Sequence, residues 1–173
     1  MNSSANKVAG AGWQAVVARL KPACFWRRTV ASGSVAGALA AAMAGCRARA
    51  EGTTAYAPIN AVTHCLWPDD ALHETRCSAR YTLTGLAIHQ GAAVFWGVMF
   101  ELLAPRRPRE HPAATLAAAA ATAATAYLVD YRVVPKRLTP GFENHLSGRS
   151  LACVYAAIAG GFTLAALMRR GER

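Results

Sequence analysis

Four stretches of this chain run for about 18 residues or more with almost no charge, the length and polarity of a membrane-spanning helix. They cover residues 29–46, 82–104, 113–131 and 150–168. Backbone amides in lipid must find their hydrogen bonds within the segment, so such stretches are helices. The expected fold is therefore all-α: a four-helix transmembrane bundle. Charged residues make up 16% of the chain, against about 25% in ordinary soluble domains. A soluble alanine-rich bundle is the alternative, but these helices lack the polar face that water would require. The third stretch is the weakest, because a run such as Ala117–Ala121 has high helix propensity and little apolar surface.

The 19 Lys and Arg against 9 Asp and Glu would suggest nucleic acid in a soluble protein. Here the bases flank the spans, as Arg27 and Arg28, Arg47 and Arg49, Arg106, Arg107 and Arg109, and Arg169 and Arg170. That placement suits the lipid bilayer and its headgroups as partner, with no nucleic acid. With an even number of spans, cytoplasmic termini put 11 bases inside and leave 8 outside, namely Arg47, Arg49, Arg76, Arg80, Arg132, Lys136, Arg137 and Arg149. The positive-inside bias favours both termini in the cytoplasm of a bacterial inner membrane.

Residues 1–28 read as a basic leader with one short helix, Val8–Leu20, ended by Pro22; residues 29–170 form the membrane domain and 171–173 a tail. The run into Met43-Ala44-Gly45-Cys46 also resembles a secretory signal with a lipidation site at Cys46. Arg47 directly after the cysteine and the three further spans favour an uncleaved first helix.

Gly33, Gly37, Ala41 and Gly45 recur every four residues and form one smooth ridge along the first span. Small-xxx-small ridges let membrane helices approach closely, either within a chain or in a homo-oligomer. Ala152, Ala156 and Gly160 repeat the device in the fourth span, while Thr115, Thr122 and Thr125 can bond back to their own helix or across to a neighbour.

The connection from Arg47 to Tyr81 is too long for a structureless loop in a compact protein. Two short interfacial helices are expected, one opened by Pro58 and stopped by Pro68, a second opened by Pro68 with Asp69 and Asp70 at its positive end. On the first, Ile59, Val62 and Leu66 share one face and Asn60, His64 and Trp67 another. Trp67 is expected at the headgroups and His64 in solvent. Cys65 and Cys77 could form a disulfide across this loop, and His64, Cys65, His73 and Cys77 carry weak zinc-ligand chemistry.

The second span holds the ionisable residues that lipid tolerates least. Gln90, Gly97 and Glu101 fall within a narrow arc with His89 beside it. Intramembrane charges are candidate functional groups by default. Glu101 lies near the span end and can reach Arg106 or Arg107. His89 lies about 10 Å deep; it can bond across helices, relay protons, or ligate a metal or haem. Asp130 closes the third span, followed by a Pro140-Gly141 turn in which Arg137 and Glu143 could pair.

Three stretches, Ala57 to Trp67, Gly85 to His89 with Phe95-Trp96, and Asp130 to Glu143, resemble a family of small, uncharacterised bacterial four-span integral membrane proteins. The chain departs from that pattern at Cys65, where an aromatic often stands, and at Gln90, where a second histidine often does. The resemblance implies Asn60, His64, His89, Asp130 and Glu143 as group members, and no activity. No nucleotide, protease, glycosidase or kinase motif is present. The expected function is a structural or accessory membrane component, with no cofactor. The alternatives are a proton-coupled carrier or oligomeric channel using His89 and Glu101, and a haem or metal redox protein using His64 and His89.

Overall fold

A computed structural model describes residues 23–169; the Val8–Leu20 segment and the 171–173 tail lie outside them. Among the described residues five α-helices form and no strand occurs: α1 (Ala23–Ala50), α2 (Ala57–Ala61), α3 (Thr84–Leu103), α4 (Pro112–Leu128) and α5 (Gly148–Met168). Four of the five are long and apolar enough to cross a membrane, with α3 and α4 lengthened by π turns over Ala79–Leu83 and Val129–Val133. The first helix exceeds its expected bounds at both ends. Apolar Phe25 and Trp26 extend it backward, and Arg47 and Arg49 ride its last turn, where cations suit the negative helix end.

α1 lies at the centre, packed on one side against α3 and on the other against α5, and α4 covers α5. Small residues explain both α1 contacts. A side chain on Gly33 would sit 2.5 Å from Val94 Cα, and one on Gly97 would sit 2.8 Å from Thr29 O, so α1 and α3 meet backbone to backbone. The Gly33–Gly37 ridge is thus taken up within the chain. On the α5 side the close approach uses Gly161, whose added Cβ would lie 2.5 Å from Ala36 Cα. Gly160, the residue expected in that role, has open space in front of it. Thr115, Thr122 and Thr125 all bond back to their own helix, onto His111 O, Ala118 O and Ala121 O.

Phe100 and Phe162 stack at 4.8 Å, fully buried with Ala36, Ala119 and Ala166 and packed against the buried Ala118. This cluster holds α3 and α4 together near the turn that joins them. At the same end Arg109 Nε donates to Leu167 O at 2.7 Å, capping the last turn of α5. Arg169 forms a bidentate pair with Glu101, whose side chain is 4% exposed. Neither Arg106 nor Arg107 is the partner; Arg107 pairs locally with Glu110.

The opposite end is capped by the two long connections. α2 continues as a 3₁₀ turn through Val62–Cys65 and is buried along nearly its whole length. The second expected short helix does not form. Residues 68–73 make separate turns, and His73 Nδ1 bonds Asp69 O at 2.8 Å, occupying the carbonyl that a helical ladder would use. Asn60 is likewise not at an interface. It is fully buried, donates Nδ2 to Glu74 O and Arg76 O at 2.9 Å each, and accepts Thr82 Oγ1 at 2.7 Å. Trp67 packs edge-on to Tyr81 with Arg80 over its ring.

Glu51 ties the end of α1 to the start of α5. It accepts Ser147 N at 2.7 Å and Ser147 Oγ at 2.6 Å, and also takes the Ser150 hydroxyl. Arg47 stands 3.8 Å away. The bonds from Ser147 and Ser150, and to a lesser degree the Arg47 charge, hold its carboxyl down to about 2. A depressed carboxyl adds stability above the unfolded pKa near 4.5, and that stability is lost as pH falls toward 2. Unfolding followed from pH 6 to pH 2 should show this acid-side loss, and Glu51→Gln should flatten it.

Candidate functional site

α3 and α4 meet at the turn end and part toward the cap, and a cavity of about 180 Å³ lies in the gap. Its walls come from every layer of the fold: Gly37 of α1, Ile88, His89, Ala92, Ala93 and Trp96 of α3, Ala126 of α4, and Tyr155 and Ile158 of α5. The roof is the cap, through Val62, Cys65 and the 138–142 segment. Most of the lining is apolar, and the polar groups gather at the roof end.

His89 is placed there by the ridge. Because Gly37 has no side chain, α3 comes close enough for His89 Nε2 to lie 2.9 Å from Gly37 O. A carbonyl oxygen only accepts, so Nε2 carries the proton and a neutral ring leaves Nδ1 as an acceptor. Nδ1 has no hydrogen bond among the described residues, and the ring lies 5.7 Å from the Phe142 ring. Gln90, the neighbour of His89, turns to α1 instead, with Nε2 3.4 Å from Ser34 O.

Asp130 sits in the π turn that ends the third span. The extra residue in such a turn widens the helix and redirects side chains, a frequent device at functional sites. Asp130 Oδ2 accepts the Tyr155 hydroxyl at 2.6 Å, and the Tyr155 ring is held edge-on by Tyr127 and Tyr131. Oδ1 has no hydrogen bond among the described residues. Glu143 does not pair with Arg137: it accepts Thr139 Oγ1 at 2.7 Å, while Arg137 Nε donates to Cys65 O at 3.3 Å.

His64 is 7% exposed rather than solvated. Its Nδ1 lies 2.8 Å from Ala61 O and its Nε2 3.0 Å from Lys136 O, so both nitrogens face carbonyl oxygens, a neutral ring donates to one of them, and the ring is wedged between α2 and the 134–142 segment. Gly141 makes room for the ring. It has φ +78°, which favours glycine, and a side chain there would stand 2.7 Å from Ala61 O and 3.1 Å from His64 Nδ1.

Of the sequence candidates, the cavity therefore gathers His89, Asp130 and Cys65, with Glu143 one bond behind Thr139. Asn60 and His64 build the roof. Glu101 lies 12 residues from His89, about 18 Å along the helix, so the two do not share a site. Cys65 and Cys77 are unbridged, and His73 and Cys77 are exposed. Among the described residues no three His, Cys, Asp or Glu side chains gather as a metal set. Tyr155 is the site residue that sequence reasoning missed; its only signal is a hydroxyl in a mostly apolar stretch that also holds Ser150 and Thr163. Comparison with family models, curated proteins and solved structures gave no match, so the site is read from its own geometry.

Proposed function

We propose that this protein is a multi-pass protein of a bacterial inner membrane, with its termini cytoplasmic and its capped end outside, that binds a small molecule in the cavity beneath the cap. The observation that carries the reading is convergence. His89, Asp130 and Tyr155 come from three different spans and meet in one cavity whose remaining walls are apolar, the usual composition of a small-molecule site. The arrangement suits binding or carriage.

The carrier reading changes its residues accordingly: Asp130, not Glu101, is the acid that accompanies His89. A structural or accessory role is the second reading, favoured by the Tyr155–Asp130 bond and the His89–Gly37 bond, which fasten spans together whatever the cavity holds.

Organic extraction of the purified protein followed by mass spectrometry separates the two. The binding reading expects one small compound near equimolar with the chain, strongly depleted in Ala92→Phe, which fills the cavity mouth. Extracts that do not differ, together with a lowered melting temperature in Tyr155→Phe, would favour the structural role instead.

A further inference from the structure

Resting on the cavity reading above, we infer that the ligand is an amphiphile dissolved in the bilayer, with a ring-sized head that donates a hydrogen bond to Asp130 and enters sideways between α3 and α4. Three observations carry this: the place of the mouth, the size of the chamber and the sign of its polar groups.

Ala92 lines the cavity and is exposed. It lies near the middle of the 25-residue apolar segment Ala79–Leu103, so a residue exposed there faces lipid. At the roof the exposed Leu138 also lines the cavity, but the segments that carry it are tied down, His64 facing Lys136 O and Arg137 bonded to Cys65 O. Water-side entry would require parting those segments. Entry from the bilayer requires none.

The volume of about 180 Å³ slightly exceeds the ~150 Å³ apolar cavity that accommodates benzene. One ring-sized head fits, flanked by Trp96 and Phe142, and the tail remains among the lipids at Ala92.

At the roof end the lining atoms without hydrogen-bond partners are acceptors, while the Trp96 indole N–H, seven residues deeper along α3, is a lining donor with no bond among the described residues. Asp130 Oδ1 and, in the neutral ring, His89 Nδ1 are acceptors with no bond, whereas the donors at this end, the Tyr155 and Thr139 hydroxyls and His89 Nε2–H, are already given to Asp130, Glu143 and Gly37 O. Two carboxylates, Asp130 and Glu143, stand at this end, and the nearby Arg137 is turned to Cys65 O. A head that donates is therefore matched, and an anionic head is opposed by like charge.

The test compares 4-hexylphenol with 4-hexylanisole, which keeps the ring and tail but loses the donor. The protein is placed in phosphatidylcholine nanodiscs, with Trp13→Phe, Trp26→Phe and Trp67→Phe leaving Trp96 as sole fluorescent reporter. Saturable quenching should occur with the phenol at least ten-fold more tightly than with the anisole, and Ala92→Phe should abolish both. Asp130→Leu, checked for unchanged helicity, should shrink the gap below about three-fold. Equal binding of the two probes overturns donor recognition and leaves the cavity reading standing. A phenol preference that survives in folded Asp130→Leu overturns the assignment to Asp130. No saturable response to either probe, with Ala92→Phe indistinguishable from the parent, overturns the ligand class and the cavity reading together.

Discussion

Glu101→Leu lowers stability by about 3 kcal/mol, because it leaves Arg169 without the carboxylate that both of its terminal nitrogens contact. Removing one partner of a buried ion pair costs on the order of 3–5 kcal/mol. The lower end is expected here, since the Arg169 side chain is 21% exposed and can turn toward headgroups. Equilibrium unfolding in mixed micelles reads the effect. Glu101→Leu combined with Arg169→Leu should recover most of the loss, since an apolar pair of similar size replaces a buried ion pair at little cost. A double variant as unstable as the single one would show that the pair is not what holds the turn end of α3 to α5.

Asn60→Ala has a comparable effect at the other end. Its carboxamide binds two backbone carbonyls and one hydroxyl, and each partner left unpaired costs about 1–3 kcal/mol where water cannot replace the amide. Glu74 and Arg76 lie near the surface, so hydration offsets part of the loss and the sum is about 3 kcal/mol. The fold should survive with a loosened cap. Amide exchange should then speed up over residues 74–83 and stay slow in the Phe100–Phe162 core, whereas uniform acceleration would mean that the cap is not a separate unit.

The spans were legible because lipid imposes length and apolarity together, a signal no short element carries. Helix ends were less so: charge at Arg27, Arg28, Arg47 and Arg49 marks where a span meets headgroups, not where the helix stops. The polar face of α2 was visible in the spacing of Asn60 and His64, but its direction was not. A polar side reads the same whether it faces water or a set of backbone carbonyls, as here.

Pairing across the chain was hardest. Glu101 has Arg106 and Arg107 within reach in sequence, and its partner lies 68 residues away; helix packing decides, and no local pattern reports it. The glycine ridge announced a close approach without saying to what. That approach brings His89 onto Gly37 O, and the π turn at Asp130 completes the site. A π turn has no sequence signature comparable to proline or glycine, so the meeting of His89, Asp130 and Tyr155 followed only from the three-dimensional arrangement.

The lateral mouth of the cavity is the point on which membrane placement, site and ligand class all depend. A nitroxide at position 92, introduced as Ala92→Cys with Cys24, Cys46, Cys65, Cys77 and Cys153 replaced by serine, tests it by power-saturation EPR in nanodiscs. Faster relaxation by dissolved oxygen than by a water-soluble nickel chelate is the predicted result, because the mouth faces acyl chains. Faster relaxation by the nickel chelate would contradict it, placing the mouth in water and removing the bilayer route to the site.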